Sequence, residues 1–167
     1  SMQSTVETLN QILAETKTKT IGLTAEEYFL NAEEENDGYA EKYGLLYTYD
    51  AALKALPDGW RLPTDEEWIL GAGHMPKDVS MNAGHVETGL TAVDAYSQTT
   101  GACGGIDFWG NCWEWTISTD AEGQYIIKGG SWDSERDDCR SEKSDVVRSG
   151  DQGYANVGFR VVRTDLI

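Results

Sequence analysis

Large aromatic residues are concentrated in one part of this chain, where six tryptophans stand between residues 60 and 132 among closely spaced glycines. A tryptophan is a large apolar body with a single N–H that needs a partner when it is buried. Beyond residue 75 no helical or alternating apolar pattern persists for long, and the apolar pieces are short. We therefore expect a core of tryptophans carried on few long elements. The six are Trp60, Trp68, Trp109, Trp113, Trp115 and Trp132.

Helical signals precede this region. The segment 4–16 has one apolar face, and 24–35 begins with a capping-box spacing. A short helix is predicted at 50–56, with its first residue, an aspartate, as the cap. A further helix is predicted after Thr64, because Glu67 stands three residues later at capping-box spacing.

Short strands are predicted in the second half, at 112–117, 124–128 and 157–162. The fold class is therefore α+β, with helices first and then a small, twisted antiparallel sheet with much irregular loop. The segment 133–155 has neither a helical nor an alternating pattern. Long irregular segments inside compact domains are commonly functional loops, and we expect this one to be exposed and to carry recognition.

Charge excludes several classes of partner. The chain of 167 residues has 29 acidic and 13 basic residues and a net charge of −16. Nucleic-acid binding depends on Lys and Arg contacts to phosphate, so this balance argues against it and against anionic lipid. No signal peptide and no apolar run of about 20 residues is present, so we expect no direct membrane insertion. The cellular location stays open.

Cysteine usage does not indicate a disulfide framework. The three cysteines, Cys103, Cys112 and Cys139, include no CxxC pair, and only His74 and His85 supply imidazoles. A zinc site is therefore not expected. One disulfide with a free thiol and a fully reduced state both remain open.

Several motifs, taken in order, resemble the formylglycine-generating-enzyme (sulfatase-modifying factor) type of C-type lectin fold. They are GWRLPT at 59–64 with EW at 67–68, GNCWEWT at 110–116, KGGSW at 128–132, CRS at 139–141 and NVGFRVV at 156–162. The stretch YGLLYTYDAA at 43–52 is similar to the opening of compact bacterial members. The resemblance implies a domain over 43–167, with 1–42 as a helical extension that packs on it or links it to another part.

One activity found on this fold is the copper-dependent oxidation of a substrate cysteine to formylglycine. The resemblance implies two thiols shortly after GGS, because copper(I) prefers soft thiolates. Counted from Gly129, these positions fall on Ser134 and Cys139. A hydroxyl cannot replace a thiolate, so we expect no such activity. The oxidase, or a degenerate relative of it, is kept as the alternative.

The resemblance is greatest to variable proteins of diversity-generating retroelements, in which adenine-directed mutagenesis rewrites surface codons between GGSW and GFR. It implies ligand binding by a region of about 129–160. The expected ligand-binding residues are Asp133, Ser134, Glu135, Asp137, Asp138, Ser144, Asp145, Val146, Arg148, Asp151, Gln152 and Tyr154. Most are compatible with a mutated adenine-rich Asn codon, whereas Glu135 and Gln152 are not. Tyr154, with Trp132, supplies aromatic anchors of the kind common in binding hot spots.

The expected partner is an unknown protein or glycan on a target surface, and we expect the chain to be displayed on a cell or virus particle. The sequence does not determine the oligomeric state. No cofactor is expected. Related enzymes place calcium near the GNxWEW strand, which makes Glu114 a weak calcium ligand candidate. A buried Glu114 bonded to backbone groups or to an arginine is the favoured alternative, and Arg61 and Arg160 are expected to be partnered structural residues.

Overall fold

The computed structural model describes residues 48–56 and 58–163. The helices predicted at 4–16 and 24–35 lie outside these residues, as does the predicted domain boundary at 42/43, so all three stay predictions. Within the described part, no helix is long and apolar enough to cross a membrane.

The first described helix, α1, spans Tyr49–Ala55. Its cap is Thr48, whose hydroxyl accepts a hydrogen bond from the Ala51 N–H at 3.1 Å. The predicted cap, Asp50, is wrong, because this residue already lies in the first helical turn. A carboxylate in that turn is still favourable, since it faces the positive end of the helix dipole.

The second helix, α2, spans Asp65–Ala72 and follows the prediction. Thr64 accepts from the Glu67 N–H at 3.1 Å, and Glu67 accepts from the Thr64 N–H at 3.1 Å, which completes the capping box. The same carboxylate accepts from Arg61 at 2.7 and 2.6 Å, so Arg61 is a partnered structural arginine as expected. These hydrogen bonds from Arg61 outweigh partial burial and lower the pKa of Glu67 to about 2.

Two small sheets organise the rest of the chain. In the first, β1 (Trp60–Arg61) pairs antiparallel with β6 (Val162–Arg163). The second has the order β4-β3-β2-β5. Its strands are β2 (Trp113–Thr119), β3 (Tyr125–Lys128), β4 (Val147–Arg148) and β5 (Val157–Gly158).

The larger sheet is mixed, which corrects the expectation of a wholly antiparallel one. The hairpin β2–β3 and the pair β3–β4 are antiparallel, but β5 runs parallel to β2. The strand predicted at 157–162 is divided into β5 and β6. Between them Arg160 turns into the interior and contacts Glu114, so the chain leaves one sheet before it enters the other.

The segment 133–155 is more regular than the sequence indicates. It contains a 3₁₀ helix at Arg136–Cys139 and the edge strand β4. The backbone of β4 pairs with β3 and so orders this segment, and no side-chain pattern in the sequence predicts that pairing.

Two aromatic clusters form the core. One packs α1 against the larger sheet around Trp115, Ile127 and Val157, and the other packs α2 around Trp68 and Trp109. Trp113 is also buried, so most of the tryptophan prediction is confirmed. Trp60 and Trp132 are only half-buried, and these two rings mark where the core reaches the surface.

Candidate ligand-binding face

The turn after β3 connects the sheet to the segment that contains the expected ligand-binding residues. Gly129 and Gly130 both have positive φ, at +94° and +73°. A side chain at Gly129 would meet the Phe108 carbonyl oxygen, and one at Gly130 would meet the Cys139 sulfur. Glycine is therefore required twice, for conformation and for close approach.

A buried ion pair between Glu114 and Arg160 joins β2 to the segment after β5. Arg160 donates to both carboxylate oxygens of Glu114, through Nε to Oε1 and through Nη2 to Oε2 at 3.1 Å. Trp68 Nε1 also donates to Glu114 Oε1, at 3.2 Å. The guanidinium lies 3.8 Å from the centroid of the Phe108 ring. Arg160 is thus a partnered structural arginine, as the sequence predicts.

This arrangement does not fit a calcium ion at Glu114. Both carboxylate oxygens already accept hydrogen bonds from a guanidinium, and a divalent cation would have to displace or oppose that positive charge. Among the described residues, no group of three or more His, Cys, Asp or Glu side chains is placed to hold a metal.

The two positions aligned with a copper-binding thiol pair do not fit copper(I) either. Ser134 has a hydroxyl, which accepts from the Ser131 N–H at 2.9 Å. Cys139 is fully buried, and burial raises the pKa of its thiol to about 12. Cys103, Cys112 and Cys139 form no disulfide with one another in the structure.

Lys128, the last residue of β3, binds the part of the loop that follows the 3₁₀ helix. Its side chain is fully buried, and Nζ donates to the carbonyls of Ser141 and Lys143 at 2.7 and 2.5 Å and to Ser144 Oγ at 2.8 Å. The KGGSW motif includes this residue, but its burial and its contacts are not expected from the sequence, because a lysine is rarely buried.

Six of the twelve expected ligand-binding residues are exposed, and the structure places them along one stretch of chain. They are Asp133, Glu135, Asp137, Asp145, Asp151 and Gln152. The exposed set is polar throughout, with five carboxylates and one amide. It therefore has the chemistry of adaptable polar contacts.

The other six are half-buried and make contacts within the protein. They are Ser134, Asp138, Ser144, Val146, Arg148 and Tyr154. Asp138 pairs with Lys143 at 3.1 Å, and Arg148 lies over the Tyr154 ring at 5.8 Å. Val146 and Tyr154 pack against the first core cluster, so these two side chains are less available than a fully exposed loop would make them.

The expected face also has neighbours that sequence analysis did not assign to it. Gly84 N–H donates to the Ser134 carbonyl at 2.7 Å, and His85 N–H donates to the Trp132 carbonyl at 3.0 Å. The loop around His85 is thereby fixed beside the GGSW turn. The His85 and Trp132 rings are 5.4 Å apart and nearly perpendicular. Only the tertiary fold brings them together, since 46 intervening residues separate them in sequence.

Asp133 follows the GGSW turn, and its side chain is hydrogen-bonded to two other residues. Ser131 Oγ and Asn156 Nδ2 both donate to its Oδ1, the latter at 3.4 Å. Burial alone would raise the pKa of Asp133, but these hydrogen bonds outweigh it and hold the pKa below its usual range. The carboxylate is therefore ionised at neutral pH and fixed in position.

A mixed sheet, few helices, a GGSW turn and a buried Glu–Arg pair together define an α+β domain of the formylglycine-generating-enzyme type of C-type lectin fold. The family model of the sulfatase-modifying factor enzyme 1-like domain matches residues 32–165. The chain belongs to this family.

Solved structures of similar fold include a protein described as CarF, with a TM-score of 0.50 and 19% identity over 86% of this chain and 66% of that one. Another is Treponema denticola variable protein 1, with a TM-score of 0.49 and 21% identity over 61% of this chain and 46% of that one. This chain thus spans less than two thirds of the length of either. Comparison with curated protein sequences gives no significant match.

Proposed function

We propose that this chain is the ligand-binding variable protein of a diversity-generating retroelement, in which a rigid frame presents a changeable surface. One observation carries the proposal: within 129–160 most motif residues are buried, whereas the residues between the motifs are exposed or half-buried. Ser131, Cys139 and Ser141 are fully buried, and Arg160 nearly so. Asp133, Glu135, Asp137, Asp145, Asp151 and Gln152 are exposed.

The contacts of the buried residues support a division between frame and variable surface. Ser141 Oγ accepts from Trp109 Nε1 at 2.8 Å and donates to the Gly73 carbonyl. Lys128 holds two backbone carbonyls of the loop, and a backbone carbonyl is present whatever the side chain. Side chains at the exposed positions can therefore change while the loop keeps its path.

Catalysis is not part of the proposal, although the family includes enzymes. The hydroxyl of Ser134 and the buried thiol of Cys139 are not suited to hold copper(I). We propose that the chain works without a cofactor, binds a protein or glycan on a target surface, and is displayed on a cell or virus particle.

A folded-library experiment tests the division of roles. The six exposed positions are randomised together, and the same number of motif positions is randomised in a matched library, including Ser131, Ser141 and Arg160. We expect most members of the first library to fold with cooperative melting, because surface substitutions usually cost no more than about 0.5 kcal/mol each. Most members of the second should not fold. Equal loss of folding in both libraries contradicts the proposal.

The genomic neighbourhood tests the retroelement directly. We expect a reverse transcriptase gene and a near-copy of the segment that encodes 129–160, with differences only at adenines of the copy. If no such copy exists, the chain is a binding domain that does not diversify in this way.

A further inference from the structure

We propose that His85, Val86, Trp132 and Asp133 form a subsite that binds an arginine side chain of a protein ligand. This inference rests on the proposed function and names one chemical feature of the ligand. Three of these residues are exposed, with Val86 at 66%, and Trp132 is half-buried.

The backbone of the subsite is fixed by the scaffold, whereas Asp133 is itself one of the exposed positions proposed to change, so the subsite is a property of this particular sequence. The two backbone hydrogen bonds from Gly84 and His85 attach the loop to the GGSW turn. The Trp132 N–H in turn donates to the Asn111 carbonyl at 2.9 Å. The Trp132 backbone is hydrogen-bonded through both its N–H and its carbonyl, and the indole is half-buried. The indole is therefore pre-organised for binding, as interface anchors commonly are.

The carboxylate of Asp133 is pre-organised in the same way. The hydrogen bonds from Ser131 and Asn156 both go to Oδ1. Ser131 is fully buried, and the Asn156 carbonyl accepts from the Trp113 N–H at 2.7 Å, so both donors belong to the frame. The fixed carboxylate interacts electrostatically with His85, whose ring lies 5.4 Å from the Trp132 ring, so the carboxylate and the indole can both serve one cation.

Guanidinium fits this pair better than ammonium does. It is planar, so it can lie on an aromatic face while its N–H groups donate to a carboxylate, whereas a lysine is a strongly hydrated point charge. The protein uses the same combination in its own interior. Arg160 lies against the Phe108 ring at 3.8 Å and donates to Glu114.

Charge around the subsite favours the same ligand. Glu87 and Glu135, each close in sequence to a member of the subsite, are exposed. The whole chain has a net charge of −16, which attracts a basic partner at long range. Val86 offers an aliphatic contact for the methylene stem of an arginine, since such stems commonly lie on apolar surface.

The test is an NMR titration of the full chain with N-acetyl-arginine amide, in which the Trp132 indole N–H and the His85 ring are followed. N-acetyl-citrulline amide has nearly the same shape without the charge, N-acetyl-lysine amide has the charge without the plane, and methyl glucoside represents a glycan. We expect saturable shifts at both residues with the arginine probe, and much weaker binding of the other three.

Asp133→Asn is the informative variant, because it removes the charge and keeps an oxygen for Ser131 and Asn156. We expect it to weaken binding of the arginine probe about fivefold. Glu122→Gln is the matched control, since it changes an exposed carboxylate in the turn between β2 and β3, outside the expected ligand-binding residues, and it should leave binding nearly unchanged. The inference is overturned if citrulline or glucoside binds as tightly as arginine, if the two residues do not shift, or if both variants weaken binding equally.

These outcomes are separable from failure of the proposed function. The titration reads the unaltered protein, whereas the libraries read tolerance to change. If arginine does not bind but the exposed-position library folds, only the subsite is wrong.

Discussion

At the scale of single residues, one buried guanidinium lies close to two buried carboxyl groups. Arg160 is the one guanidinium between two buried carboxylates, those of Glu114 and Asp107, within the described residues. Arg160 donates to the Glu114 carboxylate and to the Asp107 backbone carbonyl, at 3.0 Å, but not to the Asp107 side chain. Burial raises the pKa of Asp107 to about 7, although the charge of Arg160 opposes the shift.

Asp107→Asn should therefore stabilise the protein at alkaline pH. A carboxyl whose pKa is higher in the folded state than its ordinary value of 3.8 destabilises the fold when ionised. That cost is fully present above pH 7 and disappears as the pH falls towards 4. Asn at this position removes the charge and tolerates the φ of +56°.

Melting temperatures of the two proteins between pH 4 and pH 8.5 measure this effect. We expect the difference to favour the variant increasingly as the pH rises to about 7. A variant that is less stable than the parent at pH 8 would show that the ionised carboxylate is needed to balance Arg160.

Trp115→Ala should lower the free energy of unfolding by about 3–5 kcal/mol, the usual cost for a large buried aromatic. Trp115 is fully buried, and its ring lies 5.7 Å from Tyr49 and 5.9 Å from Tyr154. Chemical denaturation measures the change. Leu53→Ala is the control: Leu53 is 42% exposed, and its loss should cost much less. Similar costs for both variants would contradict the assignment of Trp115 to the core.

At the scale of elements, the end of β3 determines the path of the loop that follows the 3₁₀ helix. Lys128 replaces its hydration shell with two carbonyls and one hydroxyl, all from residues 141–144. Burial lowers the pKa of Lys128 to about 8, partly offset by the charges of Asp65, Glu142 and Asp145. The middle of the loop between the 3₁₀ helix and β4 is thus attached to the sheet.

Lys128→Met should release this attachment while it keeps an apolar stem in the core. We expect trypsin to cleave after Lys143 several times faster in the variant, because proteolysis follows local opening. Lys128→Arg retains a donor and should restore part of the protection. If cleavage rises only in proportion to a general loss of stability, measured by the melting temperature, Lys128 is a core residue rather than a specific attachment of the loop.

The elements that the sequence predicts well are those with local signals. The capping box of Thr64 and Glu67 identifies α2, and the short apolar piece around Trp113 and Trp115 identifies β2. The edge strand β4 and the parallel direction of β5 escape prediction, because each strand has two residues and depends on a partner far along the chain.

The candidate site shows the same limit. Motif order places the candidate segment, and six of its twelve expected ligand-binding residues are exposed. The inward packing of Val146 and Tyr154 depends on the cluster around Trp115, and the position of His85 depends on backbone contacts to Trp132 and Ser134. Local sequence does not contain contacts of this kind, so only the fold reveals them.

At the scale of the whole molecule, this chain shares its fold with a family that includes enzymes. The residues at the two thiol positions decide whether it can carry out the copper-dependent oxidation. Capture of copper(I) by two protein sulfurs needs thiolates that can reach the metal. The first position has the hydroxyl of Ser134. At the second, Cys139 donates to the Glu135 carbonyl at 3.6 Å beneath Gly130, with a pKa of about 12.

We therefore expect no formylglycine when the chain is incubated with copper(I), oxygen and a cysteine peptide of the sulfatase type. Mass spectrometry of the peptide and oxygen uptake measure the reaction. Cys139→Ser is the control, because a true copper site would lose activity on this change whereas an inert protein has none to lose. Aldehyde that forms with the parent and disappears with Cys139→Ser would show that the buried thiol becomes accessible, and the frame would then have kept its chemistry as well as its shape.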